Sequence, residues 1–247
     1  MAVNCEENDI LISRISDLYY IACERNKPTF THFLNEHEIS VCIEGLKSFG
    51  ITDYCFYGGY DNSQRKLLGF FAKKDDFPFS IIEFKYRKQD VLNHRQFLGT
   101  ILSTGLKRSV VGDIICLEGV TYVFILSNQA DYVLSQIDRV ARVGVKSKII
   151  NFSDFNYTPK FSSKEYSVSS LRLDNIVAVI TGLSREKTRN LILGGNVFVN
   201  YLQQDNISGK INTKDVLSIR KYGKFILDDL CGQTKKGRYK IIIKQYI

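Results

Sequence analysis

Two arginines at the start of a short predicted helix are the residues in this sequence best suited to binding chemistry. Arg185 and Arg189 are four positions apart, so they project from one face of a helix that follows Ser184, a favoured N-cap residue. A helix N-terminus attracts anions, and arginine binds phosphate through two parallel hydrogen bonds. The pattern indicates a phosphate-binding surface. Such arginine pairs are also common on exposed helices that bind nothing. The spacing alone therefore favours an ordinary surface helix.

Lys107 and Arg108 form a second basic pair, in the segment between Gly105 and Gly112. Glycine permits positive φ, so a turn here would hold both cations at the rim of a domain, where they could grip a phosphate. A solvated turn explains the same residues, and without further information it is the simpler interpretation.

The basic residues are distributed unevenly along the chain. Residues 160–247 hold 16 Lys and Arg against 7 Asp and Glu, whereas residues 1–159 hold 18 against 19. The whole net charge of +8 therefore comes from the C-terminal part. This asymmetry indicates an anionic partner, and nucleic acid is the first candidate.

Composition excludes several other classes of protein. The hydrophobic fraction of 44% suits a globular chain with a core, and no apolar run approaches the ~20 residues that span a bilayer. The acidic N-terminus lacks the pattern of a signal peptide, so we expect a cytoplasmic protein with no membrane partner. The six cysteines lack framework spacing and are expected to be reduced core residues. The three histidines lack metal-ligand spacing, so neither a metal nor a cofactor is expected.

The residues before Pro78 predict an N-terminal helix-rich α/β unit, assigned to residues 1–76. Apolar residues at helical spacing favour two helices, and aromatic and aliphatic runs favour two strands joined by a turn at Asp61–Asn62. The predicted elements are helices Asp9–Arg25 and Thr31–Phe49, and strands 52–60 and 66–72.

Residues 77–152 predict a central ferredoxin-like domain. Strand and helix patterns alternate there in the order β-α-β-β-α-β, the plan that RNA-recognition-motif domains share with many unrelated proteins. The aromatic consensus of true RNA-recognition motifs is missing, so the plan alone says nothing about RNA. Residues 153–168 are polar and Ser-rich, with Pro159 inside, and predict a linker with little packing.

The basic C-terminal domain is assigned to residues 169–247. Two helices are predicted first, and the alternating apolar segments after them predict strands. The predicted elements are helices 171–183 and 185–193, and strands 196–200, 216–220 and 238–244.

This C-terminal segment resembles the S-four RNA-binding domain (αL type), named after ribosomal small-subunit protein four. The resemblance spans about 55 residues and rests on Leu171-Arg-Leu-Asp174, Leu183-Ser-Arg185, Leu191-Ile192, Gly195, Val197, Val199-Asn200 and Asp215-Val-Leu-Ser-Ile-Arg220. It implies an RNA-binding face formed by Arg172, Ser184, Arg185, Arg189 and Asn200, with Lys221 and Lys224 as weaker candidates. Asp174 is given a structural or orienting role, because a carboxylate repels phosphate unless it is paired.

The upstream segments resemble the YlmH-like family of bacterial RNA-binding proteins. The resemblance covers most of the chain, more weakly in residues 1–50, and Gln64 stands where an acidic residue is usual. It rests on Tyr57-Gly-Gly-Tyr60, Gln64-Arg-Lys66, residues 98–108, Gly112-Asp-Ile-Ile115 and residues 139–145. With this resemblance, we expect the turn at Lys107 and Arg108 to contact RNA.

This resemblance implies a non-enzymatic α+β protein of several domains that acts in translation. The expected partners are the large ribosomal subunit, its rRNA, the peptidyl-site tRNA and the tailing factor of ribosome-associated quality control, with no DNA. The implied role is to support alanine tailing of stalled chains, with the ribosome supplying the chemistry. Two alternatives stay open: an RNA-modifying enzyme of pseudouridine-synthase type, with Asp113 and Asp138 as candidate carboxylates, and an RNA-binding regulator linked to cell division.

Overall fold

The computed structural model describes residues 2–61, 63–155, 157 and 160–246, with side chains from residue 6 onward. The chain is an α+β protein that divides into two compact units, an N-terminal unit (Met1–Tyr157) and a C-terminal unit (Thr158–Ile247). Among the described residues, no helix is long and apolar enough to cross a membrane. Asn62 of the predicted turn and Pro159 of the predicted linker lie outside the described residues.

The first part of the N-terminal unit contains two helices and a three-stranded sheet in the order β1-β3-β2. The elements are α1 (Ala2–Arg25), β1 (Thr29–Phe30), α2 (Glu36–Ser48), β2 (Tyr54–Tyr57) and β3 (Leu67–Phe70).

Both helices begin elsewhere than the sequence predicts. Helix α1 extends back to Ala2, although Asp9 is a favourable N-cap residue. The predicted start of α2 at Thr31 is wrong, because Asn35 caps the helix. Its side-chain oxygen accepts the N–H of Glu38 at 3.0 Å, and the Glu38 carboxylate accepts the N–H of Asn35 at 2.6 Å.

The second part of the N-terminal unit follows the predicted order of strands and helices, with a short hairpin inserted before the last strand. Its four-stranded antiparallel sheet has the order β5-β6-β4-β9, and α3 and α4 pack on one face. The elements are β4 (Phe79–Lys85), α3 (His94–Ser103), β5 (Val111–Leu117), β6 (Val120–Leu126), α4 (Ser127–Gln136), β7 (Arg139–Val140), β8 (Val143–Gly144) and β9 (Lys146–Ile150).

The opposite face of this sheet is also buried. Phe79 is 4% exposed, and Ile81 and Phe124 are fully buried. They pack with Phe33 and Leu67 from the first part of the unit. Residues 1–76 and 77–152, predicted as two domains, therefore share one core, and the rings on this face are not available to stack on RNA.

The C-terminal unit is a six-stranded antiparallel sheet with two helices on one face. Its strand order is β10-β15-β14-β13-β11-β12, and its core contains residues of both helices, such as Ile176 and Ile192, with Leu217 and Ile241 of the sheet. The elements are β10 (Phe161–Val168), α5 (Leu173–Thr181), α6 (Arg185–Leu193), β11 (Val197–Val199), β12 (Leu202–Gln203), β13 (Val216–Ile219), β14 (Gly223–Gln233) and β15 (Tyr239–Tyr246).

The prediction of a loosely packed linker over residues 153–168 is wrong for its second half. All eight residues of β10 pair with β15, from Phe161 opposite Tyr246 to Val168 opposite Tyr239. Val168 is buried in the core of the unit, and Tyr166 packs against it. The serines and charges that suggest a linker lie between these inward residues on an edge strand, where polar side chains face water.

The cysteines are only partly placed as predicted. Cys42 is buried in α2, and burial raises the pKa of its thiol to about 12. Cys23 and Cys231 are exposed, so the prediction that the cysteines are core residues is wrong for these two.

Candidate nucleic-acid interface

Three of the predicted RNA-binding residues line one groove of the C-terminal unit. The groove has a volume of about 360 Å³ and lies beside the first turns of α5 and α6. Its lining consists of Arg172, Asp174, Arg185, Arg189, Asp205, Asn206, Ile207 and Ser208. Its three guanidinium groups outnumber the two carboxylates, so the open cavity keeps a net positive charge that suits phosphate oxygens.

Helix α6 presents two of these arginines because of how it begins. Ser184 has extended backbone geometry and caps the helix, since its hydroxyl accepts the N–H of Lys187 at 3.5 Å. Thr188 and Ile192 are buried and anchor α6 on the core of the unit. Arg185 and Arg189 lie one turn apart at the edge of this buried side, and both are exposed. The Ser184 cap therefore fixes where α6 begins, and both guanidinium groups stay exposed to solvent.

Arg172 is held differently, by a carboxylate within the groove. Its Nε donates to Oδ1 of Asp174 at 3.1 Å, and its Nη2 donates to Oδ2 at 2.9 Å. This bidentate pair raises the pKa of Arg172 and fixes the direction of its side chain, which stays 45% exposed. The orienting role predicted for Asp174 agrees with this geometry. The pairing also reduces the net positive charge that Arg172 brings to the groove.

The loop at residues 205–208 forms the remaining wall, and no reasoning from the sequence placed it there. Backbone bonds attach it to the start of α5: the N–H of Asp174 donates to the carbonyl of Ile207 at 3.1 Å, and Leu173 donates to Gly209 at 2.8 Å. Asn206 closes the turn by accepting the N–H of Ser208 at 3.1 Å. The composition of this loop signals a turn, but only the tertiary fold returns it to α5.

The other predicted contacts of the C-terminal unit lie outside this groove. Asn200 has a φ of +51°, and its side chain links two parts of the sheet: its Nδ2 donates to Asp215 at 2.8 Å, and its Oδ1 accepts the N–H of Val216 at 3.0 Å. Lys221 is exposed at the turn between β13 and β14. Lys224 is 8% exposed and lies against aromatic rings. Their contacts with RNA remain predictions.

The basic turn of the N-terminal unit presents one cation to water and folds the other inward. Lys107 is exposed, whereas Arg108 donates from Nη1 to the carbonyls of Val111 and Gly112. Burial, with the nearby charge of Arg65, lowers the pKa of Arg108 to about 10. Of this pair, Lys107 is the side chain free to meet a phosphate from solvent.

Asp113, a candidate carboxylate for catalysis, is occupied by structural hydrogen bonds. The residue is 8% exposed, and its carboxylate accepts the hydroxyl of Tyr60 at 2.7 Å and the N–H groups of Gln64 and Arg65 at 2.7 and 3.0 Å. Three of the segments that carry the family resemblance therefore meet here: those of Tyr60, of Gln64 and Arg65, and of Asp113 itself. Asp138 is exposed at the end of α4. The described part of the chain holds no group of three His, Cys, Asp or Glu side chains that could bind a metal.

The glycines of the Tyr57–Tyr60 segment have a packing role. A Cβ on Gly58 would approach the carbonyl oxygen of Arg65 to 2.1 Å, and one on Gly59 would approach the Phe124 ring to 2.2 Å. Gly59 also has a φ of +101°, which disfavours any other residue. These glycines bring the segment close to the central sheet and have no visible part in binding.

The fold and the groove define a class: an α+β protein whose basic C-terminal unit carries an arginine-lined groove. Residues 72–154 match the family described as "Putative RNA-binding domain in YlmH". Over 234 residues the chain is 30% identical to "Ribosome-associated protein quality control protein P2" of Bacillus subtilis (strain 168), a match that covers 91% of this chain and 90% of that protein. The chain belongs to the YlmH family, and the predicted resemblance is confirmed.

A solved structure of the same family is also similar. It is the "Cell division protein ylmH from Streptococcus pneumoniae", with 20% sequence identity and a TM-score of 0.47. The match covers 61% of this chain and 90% of that chain.

Proposed function

We propose that this protein binds RNA on the large ribosomal subunit, as a non-enzymatic factor of ribosome-associated quality control. The observation that carries the proposal is the convergence of Arg172, Arg185 and Arg189 on one groove of a unit with a large positive charge. The relationship to the quality control protein of B. subtilis and the match to an RNA-binding family support it.

The proposed ligand of the groove is the backbone of structured RNA, either rRNA of the large subunit or tRNA in the peptidyl site. Arg185 and Arg189 supply two exposed guanidinium forks beside a helix N-terminus, where the dipole adds to their attraction for phosphate. Arg172 is already aligned by Asp174, so it would bind a phosphate with little loss of side-chain freedom. Lys107 on the N-terminal unit is a further proposed contact.

In this role the protein contributes binding free energy and no bond-making step. A clamp that contacts both rRNA and tRNA favours the tRNA position in which its contacts are satisfied, which is a population shift. The ribosome then supplies the chemistry of alanine tailing, and the tailing factor is the proposed protein partner. The expected compartment is the cytoplasm.

Sucrose-gradient sedimentation of cell lysate, with sequencing of the bound RNA, tests this function. Three tagged proteins are compared: the unaltered chain, the Arg185→Ala/Arg189→Ala variant and the Lys187→Ala variant. Lys187 is an exposed cation on the same helix that does not line the groove, so it is the matched control.

We expect the unaltered chain and the control to sediment with large subunits and tRNA, and the double variant to stay at the top. An unaltered chain at the top of the gradient, with no rRNA or tRNA enriched, would refute the ribosomal role. Loss of a modified nucleotide on gene deletion, restored by purified protein, would instead identify an RNA-modifying enzyme.

A further inference from the structure

The sheet of the C-terminal unit has a second face, opposite the helices, that carries a row of aromatic side chains and lysines. On the inner face, residues such as Val197, Leu217 and Ile241 pack with the core. On the outer face, Phe198 lies opposite Ser218, Ser218 lies opposite Lys224, and Phe161 lies opposite Tyr246. With Tyr201, these side chains form what we call the aromatic row: Phe161, Phe198, Tyr201, Ser218, Lys224 and Tyr246.

The rings of the aromatic row are in contact with cations. The Nζ of Lys224 lies 4.9 Å from the centre of the Tyr201 ring and 5.4 Å from that of Tyr246. The rings of Phe161 and Tyr246 are 4.8 Å apart, and the Nζ of Lys244 lies 5.9 Å from the Phe161 ring. Two lysines therefore lie against aromatic rings on this face of the sheet.

We propose that the aromatic row binds unpaired bases of single-stranded RNA by stacking, as a surface separate from the arginine groove. This rests on the proposed function, since it extends RNA binding to a second face of the same unit. Single-strand binding surfaces combine aromatic platforms with lysines and arginines that follow the phosphates. Both parts are present, because the rings of Phe161 and Tyr246 are partly exposed and Lys244 keeps 35% of its side chain in water.

The positive charge around the aromatic row favours RNA as its ligand. The C-terminal unit holds the whole positive excess of the chain, so an anionic polymer is favoured. The carboxylate of Asp228 lies 2.9 Å from Lys244 and also accepts from Lys214 at 2.8 Å. Two cations against one carboxylate leave a net positive charge beside the rings. A base could stack on a partly exposed ring while its phosphate meets this charge.

The arginine groove and the aromatic row are on opposite sides of the sheet. Arg185 and Arg189 belong to α6, which covers the inner face, whereas Lys224 and Tyr246 lie on the outer face. A substitution in one surface therefore leaves the side chains of the other untouched, and the two can be tested separately.

The first test measures binding of the full-length protein to a single-stranded oligouridylate and to an RNA hairpin of equal length. Phe161→Leu/Tyr246→Leu removes two rings and keeps apolar side chains, so we expect the oligouridylate Kd to rise about tenfold. The slope of log K against log salt stays unchanged, because no phosphate contact is removed. The hairpin Kd also stays unchanged, because its paired bases hide their faces.

Two further variants serve as controls. Tyr246→Phe keeps the ring and retains affinity for oligouridylate. Tyr20→Leu removes an exposed ring from α1 in the other unit and has no effect. An unchanged oligouridylate Kd in the double leucine variant, or an equal loss with the hairpin, would overturn the proposal.

Photocrosslinking of the unaltered protein keeps the test independent of folding in the variants. An oligonucleotide with 4-thiouridine is expected to crosslink to peptides of β10 and β15. Crosslinks confined to α5 and α6 would overturn the aromatic row and leave the arginine groove intact. Conversely, Arg185→Ala/Arg189→Ala is expected to abolish sedimentation with large subunits while the β15 crosslink persists, so failure of the two proposals can be distinguished.

Discussion

Replacing Arg185 and Arg189 by alanine is the sharpest test of the arginine groove as a phosphate-binding surface. Both side chains are exposed, and the residues that anchor the helix, Thr188 and Ile192, are untouched. Alanine is the strongest helix former, and exposed substitutions rarely change stability by more than about 0.5 kcal/mol. The thermal midpoint is therefore expected to stay within a few degrees, so any loss of binding reports on contact with RNA.

The expected loss follows from the geometry of the groove. Asp174 offsets the charge of Arg172, and Asp205 sets one negative charge against the two arginines of α6. Arg185 and Arg189 therefore supply the net positive charge of the groove. We expect the double variant to lose about 1–3 kcal/mol of binding free energy, as charge-assisted contacts are removed. If each arginine neutralises one phosphate, the slope of log K against log salt falls by about 1.4–1.8.

Fluorescence anisotropy with a purified, structured rRNA fragment, at four or more salt concentrations, measures both quantities. Lys187→Ala is the control, because it removes one positive charge from the same helix outside the groove. An unchanged salt slope in the double variant would show that these arginines do not touch phosphate. An equal change in the control would show that only the general charge of the unit matters.

Three further predictions concern the N-terminal unit. Asp113→Asn places an amide against three donors, so we expect about 2–4 kcal/mol of destabilisation in urea unfolding; a loss below about 0.5 kcal/mol would contradict the structural role of this carboxylate. Burial, with the charges of Arg14 and Lys107, lowers the pKa of His32. His32 therefore binds a proton less readily in the folded unit than in the unfolded chain. Stability is then fully present above about pH 6.5 and falls as the pH drops through the folded-state pKa, and His32→Gln should flatten this dependence in thermal melts. Gly59→Ala forces a Cβ into the Phe124 ring at positive φ, so we expect a loss of at least about 2 kcal/mol in chemical unfolding, and wild-type stability would refute the close approach.

The order of elements was largely predictable because it depends on local patterns. Apolar periodicity and turn residues lie within a few positions of each other, so the strands and helices from β4 to β9 appear in the predicted order. The predictions are wrong where the structure of a segment depends on a strand that is distant in the sequence. No element is predicted at residues 29–30, but they form β1 because β3 offers a strand to pair with. Residues 161–168 form β10 because β15, about 80 positions later, has a free edge.

The candidate site shows the same division. The sequence alone indicates Arg185 and Arg189 on one helix face, and the family resemblance adds Arg172 and Asp174. Other features of the site depend on side-chain packing. Asp174 holds Arg172, Arg108 donates to the carbonyls of Val111 and Gly112, and Lys224 is buried against two rings. Sequence spacing carries no information about these distances.

The sequence by itself determines the charge asymmetry, the α+β class, the arginine pair of α6 and the family. These depend on composition and on neighbours along the chain. Only the tertiary structure brings the loop at residues 205–208 to the groove, buries both faces of the central sheet and sets an aromatic row on the outer face of the C-terminal sheet. The physical reason is that a binding surface needs side chains from distant segments within a few ångströms, and burial of a shared core selects which segments meet.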